Sequence, residues 1–254
     1  MYRFEKPVQS GAATASTPEE WASNFAASTR MNAWKRWRLS LTREARLIRR
    51  TIPAGSTLLD AGCGFGEWVM YLRSAGYRAT GCDSSPELIR RLREAYPDLE
   101  WTQADIRALP YGGGSFDAVI SWGVIEHDEA GPGAALREFR RVLRPSGVAV
   151  VTVPVDTPQA RHSGEVMHRI EGREHAFFQY LMSDEDLRDE GRNAGFEVLA
   201  SGTLPQAHLN HVAPSLARRL SGLPYRAANV AALLFLSWLE RYRVMRFAVL
   251  RNPS

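Results

Sequence analysis

The strongest constraint on the fold is an alternation that begins at Thr57, where short apolar runs are separated by segments with helical periodicity. We predict strands over Leu58–Asp60, Arg78–Cys82, Leu99–Thr102, Phe116–Ser121 and Val148–Val153. Strands that alternate with helices indicate repeated βαβ units. The pattern therefore predicts an α/β fold with a parallel sheet.

Composition excludes several classes of protein. The chain has 254 residues and is 44% hydrophobic, which is enough to bury the core of one large domain. Its two cysteines, Cys63 and Cys82, cannot form a disulfide framework. It opens without a signal-peptide pattern, and its apolar runs are shorter than the about 18 residues of a membrane span. We expect a soluble, cytoplasmic protein.

Capping patterns agree with the predicted helices. The segment Ser85–Glu87 combines an N-cap, a proline at the first helical position and an acid in the first turn. Ser183 with Asp186 resembles a capping box. Gly147 and Gly195 stand where we expect helices to stop.

The N-terminal fifth of the chain divides into two parts. Residues 1–20 are rich in small and polar residues and predict a flexible leader, followed by a single domain over 21–254 with a helical cap over 21–51. Within this cap, Trp34, Trp37, Leu41 and Ile48 recur near helical spacing among eight basic residues and one acid. We predict one basic amphipathic helix whose apolar stripe packs on the domain.

A glycine-rich turn follows the first predicted strand. In the segment Leu58–Trp68 an apolar strand leads through Asp60 into Gly-x-Gly-x-Gly and then a helix. Glycines let a backbone approach a ligand closely. A dinucleotide fingerprint would need a third glycine at position 67, where Glu67 would instead repel a pyrophosphate. This disfavours a nicotinamide dehydrogenase and favours an uncharged or cationic ligand.

Acidic residues also follow the next two strands. Asp83 closes the second strand, where a carboxylate can accept both hydroxyls of a ribose, and Asp105 follows the third. Each acid alone could be a turn residue. Three acids after three consecutive strands at one edge of a sheet indicate a binding site.

The chain resembles the class I S-adenosylmethionine-dependent methyltransferases, in particular the small-molecule branch that shares the ubiquinone-biosynthesis methyltransferase pattern. The resemblance covers about Leu58–Val155. It is carried by the glycine turn, Asp83, Asp105–Pro110, Ser115–Val119, Ile125–His127 and Leu136–Gly147.

The resemblance implies a Rossmann-like fold with helices on both faces of a mostly parallel seven-stranded sheet. Its strands, numbered along the chain, would lie in the order 3-2-1-4-5-7-6, with Phe196–Ala200 sixth and Phe247–Leu250 as the last, antiparallel strand. Insertions over 156–182 and 201–244 would lie on the substrate side. The triple glycine Gly112–Gly114 departs from the acidic or proline-containing turn usual in the family.

The resemblance also implies S-adenosylmethionine as the cofactor and assigns its contacts. Asp60, Gly62 and Gly64 would surround the methionine part. Asp83 would bind the ribose, Asp105 and the Ile106 amide the adenine, and Ser121 and Trp122 would flank the sulfonium. Ser84 is a further cofactor-binding candidate.

His127 is the one candidate catalytic side chain, because an imidazole could remove a proton from a hydroxyl. Since the Glu126-His127 pair occurs in relatives that act on unlike substrates, we prefer a role in the pocket wall. His162, His168 and His175 lie among glutamates, but their spacing fits no short helical ligand pair, so we expect no metal.

The segment Ala227–Leu239 is apolar on every side over more than three turns. We predict that it roofs the substrate pocket or packs in a homodimer. Peripheral contact with an anionic membrane is the alternative that we weigh against it.

We expect methyl transfer to a small-molecule acceptor, with a hydroxyl of a secondary metabolite, sugar, quinone or lipid precursor preferred. An RNA or other nucleic-acid methyltransferase is the main rival, because the net charge is +4. Against this rival, Ser121–Val124 lacks the Asn/Asp-Pro-Pro-aromatic pattern of enzymes that methylate base amino groups. A non-catalytic S-adenosylmethionine-binding protein is the third hypothesis.

Overall fold

The computed structural model describes residues 1–7, 31–158, 160–161, 175–205 and 243–253. Within these ranges the strands are β1 (Tyr2–Pro7), β2 (Thr57–Ala61), β3 (Arg78–Asp83), β4 (Trp101–Gln103), β5 (Phe116–Trp122), β6 (Leu143–Pro154), β7 (His175–Leu181), β8 (Glu197–Pro205) and β9 (Arg243–Arg251).

Seven of these strands form one sheet in the order β4-β3-β2-β5-β6-β9-β8. The five strands from β4 to β6 are parallel to one another, and β9 is antiparallel to both β6 and β8. This confirms the predicted fold class and strand order. All seven predicted strands are present, although β6 begins at Leu143 rather than at the predicted Val148.

The helices are α1 (Ala33–Ser40), α2 (Arg43–Thr51), α3 (Glu67–Ser74), α4 (Pro86–Ala95), α5 (Gly133–Val142) and α6 (Asp184–Asn193), with a 3₁₀ turn over Ile125–His127. Both predicted caps are confirmed. The Ser85 hydroxyl accepts from the Leu88 amide, and Ser183 and Asp186 form a reciprocal capping box. Each cap stabilises its helix by about 1 kcal/mol.

The two predicted helix-stop glycines have different outcomes. Gly195 directly follows the C-cap of α6 with φ +88°, as predicted. The prediction for Gly147 is wrong, because α5 ends at Val142 and Gly147 lies in β6. A Cβ at position 147 would lie 2.9 Å from the Arg144 carbonyl oxygen and 3.0 Å from that of Asp117. Close backbone approach between β5 and β6 therefore explains this glycine.

The core fills both faces of the sheet. Leu59 and Val119 face one side, where Phe139 of α5 packs against them. Leu58 faces the other side together with Ile48 of α2. All five side chains are fully buried. Burial of each Leu or Phe stabilises the fold by about 1.5–3 kcal/mol.

The predicted single basic helix over the N-terminal cap is wrong, because the chain forms α1 and α2 with Thr42 between them. The Thr42 hydroxyl accepts from the Ala45 amide and so begins a second helix. Ile48 is buried as predicted, whereas Trp37 and Leu41 are 44% and 50% exposed and do not extend the apolar stripe. Most arginines of α2 are exposed, in agreement with packing of the apolar side on the domain.

Residues 2–7, which the sequence assigned to a flexible leader, form β1 and pair antiparallel with β7. Phe4 packs edge-on against Phe178 with ring centroids 6.3 Å apart. The Arg3 guanidinium donates to Glu129 at 2.5 Å. The partner strand is distant in the sequence, so the local composition of the leader gave no sign of this pairing. Residues 8–20 lie outside the described ranges.

Among the described residues, no helix is long and apolar enough to cross a membrane. The apolar segment Ala227–Leu239 lies outside them, as do residues 162–174 of the first predicted insertion. The pocket-roof, homodimer and membrane hypotheses for Ala227–Leu239 therefore stay predictions.

Candidate cofactor site

The candidate site lies where the central parallel strands end. Asp60 stands next to last in β2, Asp83 ends β3, and Ser121 is next to last in β5. In the sheet Asp60 pairs with Gly81 of β3 and Ile120 of β5. Because these strands are parallel, the fold brings the three side chains to one edge of the sheet, as the sequence predicted.

The glycine turn joins β2 to α3 and has left-handed backbone at each of its three glycines. A Cβ on Gly62 would lie 2.5 Å from a methyl carbon of Val124, and one on Gly66 would lie 2.4 Å from the Trp101 ring. Gly64, with φ +50°, instead has nothing within 4 Å of the Cβ position. Gly62 and Gly66 thus allow close packing, whereas Gly64 borders open space that a ligand can enter.

Asp60 is the most perturbed carboxyl of this edge. Its side chain is buried, and neither carboxylate oxygen has a hydrogen-bond partner in the described part of the chain. Burial, with a smaller contribution from the charge of Asp83, raises the pKa of Asp60 to about 8. An unpartnered buried carboxyl is costly for a folded protein. A cationic ligand group at this position would supply the missing partner.

Asp83 holds the turn in place from the neighbouring strand. One carboxylate oxygen accepts from the Gly64 amide and the other from the Ser85 amide, each at 2.9 Å. A carboxylate has about four lone-pair positions, so each oxygen can accept one further bond. Asp83 can therefore bind a diol while it tethers the glycine turn. Ser84 lies beside it and is exposed.

Asp105 and Ile106 follow β4 at the same edge. Asp105 is 44% exposed and forms a forked ion pair with Arg107, and the hydrogen bond from Arg107 lowers the pKa of Asp105. Ile106 is half-buried and packs against the core beside β4. The sequence did not indicate that Arg107 would hold Asp105. An exocyclic amine that donated to the Asp105 carboxylate would share this acceptor with the Arg107 guanidinium.

Ser121 and Trp122 end β5 and point to opposite faces. The Ser121 hydroxyl is buried and donates to the Ala61 carbonyl at 2.8 Å, which ties β5 to the end of β2 just before the glycine turn. The Trp122 ring lies 5.3 Å from the ring of Trp68 in α3. The Trp122 Nε1–H group is buried without a hydrogen-bond partner among the described residues. This donor is available to an oxygen atom of a ligand.

The 3₁₀ turn after β5 carries Glu126 and His127. The Nδ1 of His127 lies 2.8 Å from the Phe178 carbonyl oxygen, which can only accept. This assigns the proton of the neutral imidazole to Nδ1 and the lone pair to Nε2. The ring also packs edge-on against Phe178, at 5.1 Å between centroids. His127 is therefore part of the wall that β7 builds and has an Nε2 able to take a proton.

Glu126 is the residue of this region that sequence reasoning missed as a site candidate. It is buried, burial raises the pKa of its carboxyl to about 8, and Oε2 has no hydrogen-bond partner in the described ranges. Oε1 lies 3.9 Å from His127 Nε2. The sequence signal that could have indicated a buried acid is the position of Glu126 directly after the apolar pair Val124-Ile125.

Glu67, which argued against a dinucleotide, begins α3 directly after the glycine turn. Its carboxylate pairs with the Lys35 ammonium of α1 at 2.8 Å. Helix α1 therefore borders the glycine turn. Among the described residues no group of three or more His, Cys, Asp or Glu side chains could hold a metal. His162 and His168 lie outside these residues, and His175 is in β7.

Comparison with known proteins finds a family match within the chain. Residues 59–151 match the family described as "Methyltransferase domain", over the segment that carries the strand-end acids and the glycine turn. The matched segment, a little over a third of the chain, is similar to S-adenosylmethionine-dependent methyltransferases. The matched segment begins in β2 and ends in β6, so it includes every cofactor contact that the sequence predicted for this methyltransferase domain.

The domain is similar to trans-aconitate 2-methyltransferase of Azoarcus sp. (35% identical over 129 residues, 48% of this chain and 49% of that protein). It is also similar to malonyl-[acyl-carrier protein] O-methyltransferase of Pseudescherichia vulneris (34% over 98 residues, 38% of each chain). The match thus spans about half of the first relative and less of the second.

A methyltransferase solved in complex with the Haloferax volcanii Trm112 methyltransferase activator has the same fold. It superposes with a TM-score of 0.63 at 21% identity and covers 95% of this chain and 98% of its own. At this identity the likeness concerns the fold alone.

The residues present fit S-adenosylmethionine, the cofactor of this family. Asp60 is a buried carboxyl without a partner in the described ranges, Gly64 opens onto free space, and Asp83 retains acceptor capacity on both oxygens. The Asp60 carboxyl suits a cationic group, the space at Gly64 suits a ligand that approaches the backbone closely, and the Asp83 oxygens suit the hydroxyls of a ribose. The assignment of individual contacts stays a prediction that the variants below test.

Proposed function

We propose that this domain transfers the methyl group of S-adenosylmethionine to an oxygen atom of a small-molecule acceptor. The observation that carries the proposal is the strand-edge site itself, in which the unpartnered Asp60 carboxyl, the open Gly64 turn and Asp83 converge. When bound, the cofactor supplies a methyl group already activated by a positively charged sulfur. The chain therefore has to bind and orient the cofactor and the acceptor, and to exclude water from them.

Orientation is the main task of the side chains around the reacting centre. Ser121 ties the end of β5 to the end of β2, and Trp68 and Trp122 form an aromatic wall beside it. Holding two reactants in line can contribute about 7–11 kcal/mol to lowering the barrier. The aromatic wall favours a planar or apolar acceptor, whose oxygen could accept from Trp122 Nε1.

A hydroxyl acceptor must lose a proton during the transfer. The lone pair assigned to His127 Nε2 makes this nitrogen the group able to receive it, but its Nδ1 bond and ring packing also suffice for a purely structural role. We propose the structural role, with proton acceptance as the alternative. The His127→Ala variant distinguishes them.

An oxygen acceptor is supported by the printed name of one relative, which is an O-methyltransferase. A secondary metabolite, a sugar, a quinone and a lipid precursor are all compatible with the proposal. Nucleic acid is not favoured by any contact described above. We also propose that the protein works as a soluble enzyme, with a homodimer as the assembly to be checked by sedimentation.

Turnover tests the proposal directly. Protein, methyl-labelled S-adenosylmethionine and a panel of phenols, sugars, carboxylic acids, amines and transfer RNA are incubated, and label in the acceptor is measured together with S-adenosylhomocysteine. We expect label in an oxygen-bearing small molecule and its loss in Asp60→Asn. Label confined to RNA would establish the nucleic-acid rival, and cofactor binding without any turnover across the panel would favour the non-catalytic hypothesis.

A further inference from the structure

A cleft lies at the amino-terminal ends of β5 and β6, whereas the cofactor site lies at the carboxyl-terminal ends of the parallel strands. It has a volume of about 780 Å³ and is lined by the turn before β5, the C-terminal ends of α5 and α6, the start of β6 and the residue after β9. The seven residues of β5 span about 20 Å at the usual rise of a strand. The cleft is therefore well separated from the glycine turn.

Four arginines of this region follow helical spacing, at positions 137, 140, 141 and 144, and the first three line the cleft. Two are committed to other groups. Arg141 pairs with Glu138 and donates to the Leu109 and Tyr111 carbonyls, and Arg144 pairs with Asp117.

Arg137 and Arg140 are the uncommitted pair. Both are exposed, and neither guanidinium has a hydrogen bond or an ion pair within the described residues. Glu190 is the nearby carboxylate on this side, and the charge of Arg137 acts on it, but the two form no ion pair within 4.0 Å. Two planar, permanently charged guanidiniums thus line one cleft, and neither forms an ion pair with a carboxylate of the described residues.

Amide donors at the end of α5 reduce the negative charge that this helix end presents to the cleft. The C-terminal carbonyls of a helix repel anions most strongly when they are unsatisfied. Here the Asn252 side-chain amide donates to the carbonyls of Arg140, Leu143 and Arg144, and the Gly114 amide donates to that of Arg141. These four carbonyls therefore already have donors.

Glycines keep the cleft open. Gly113 and Gly114 line it without side chains, which accounts for part of the unusual triple glycine Gly112–Gly114. The Cβ position of Gly195 lies 2.8 Å from a terminal nitrogen of Arg140, so this guanidinium rests against the backbone that follows α6. Arg140 and these glycines therefore lie together at the cleft.

From these features we infer that the cleft is a binding site for a small phosphorylated ligand, separate from methyl transfer. The forked guanidiniums of Arg137 and Arg140 would each bind two oxygens of a phosphate group. Gly113 and Gly114 let such a group approach the backbone. The ligand class is a phosphate ester or diphosphate small enough for the cleft.

Inorganic pyrophosphate is the probe for this site. We expect saturable binding to the wild-type protein by calorimetry at constant ionic strength, and a loss of affinity of about tenfold or more in Arg137→Gln and in Arg140→Gln. Arg46→Gln is the matched control, because Arg46 is exposed on α2 and also has no partner among the described residues. It removes the same charge from a distant helix.

Three results would overturn the inference. The first is the absence of saturable pyrophosphate binding, and the second is an equal loss of affinity in Arg46→Gln. The third is tighter binding of a single-stranded oligonucleotide with the same dependence on Arg137 and Arg140, which would make the cleft a nucleic-acid surface. Unchanged S-adenosylhomocysteine affinity in all three variants shows that they are folded and keeps this test independent of the proposed methyl transfer.

Discussion

Binding of the cofactor should release a proton from Asp60 near neutral pH. Burial and the charge of Asp83 raise the pKa of this carboxyl to about 8. At pH 7 a group with that pKa is protonated in about 90% of molecules. The ammonium group of the cofactor's methionine moiety favours the ionised carboxylate, whose pKa it lowers. We therefore expect binding to release about 0.9 proton per site at pH 7.

The pH dependence of affinity and of stability follows from the same shift. The logarithm of the association constant should rise by about one per pH unit between pH 6 and 7 and level off above about pH 8. In the absence of the cofactor, the folded state holds this proton up to about pH 8, whereas the unfolded chain loses it near pH 4. The Asp60 contribution to stability therefore falls as pH rises through that window.

Calorimetry with S-adenosylhomocysteine in two buffers of different ionisation enthalpy measures the released proton. Asp60→Asn should abolish the release. Glu126→Gln is the control, because burial also raises the pKa of Glu126 to about 8, while no cofactor contact is predicted for it. Release below about 0.3 proton in the wild-type protein, or equal release in Asp60→Asn, would refute the assignment of Asp60 to the cationic end of the cofactor.

Three further variants test other parts of the account. Asp83→Ala should weaken S-adenosylhomocysteine about 10- to 150-fold in calorimetry, since it removes charged hydrogen bonds, whereas the exposed Asp98→Ala should not. Loss of a general base lowers turnover by about 10²–10⁴, and His127→Ala should lower it by less than this; a loss within that range, with unchanged cofactor binding and an altered pH profile, would contradict the wall role. Gly66→Ala should destabilise the fold by about 1–3 kcal/mol in urea, because of its positive φ and the Trp101 ring; an unchanged midpoint would contradict this.

Local signals predicted the parts of the fold that depend on local chemistry. The apolar runs located the strands, and Ser85 and Ser183 located the starts of α4 and α6 because a capping hydroxyl acts within three residues. The strand-end positions of Asp60 and Asp83 follow from the same runs. Parallel strands then bring those ends together without further information.

Long-range contacts and side-chain conformations are what the sequence could not supply. The pairing of β1 with β7 joins residues from the two halves of the chain. The ion pair of Asp105 with Arg107 is local in the sequence, but it depends on the conformation of both side chains. The lack of partners for Asp60 and Glu126 is likewise a property of the packed interior. Their raised pKa values arise from burial, which becomes known only once the layers are assembled.

The central claim is that the strand-edge site binds S-adenosylmethionine, and equilibrium binding by the purified protein tests it most directly. One sample is titrated by calorimetry with S-adenosylhomocysteine and a second with NAD. We predict saturable binding of S-adenosylhomocysteine at one site per chain and no saturable response to NAD, because Glu67 stands where a dinucleotide loop needs glycine. Saturable NAD binding without any response to S-adenosylhomocysteine would contradict the claim.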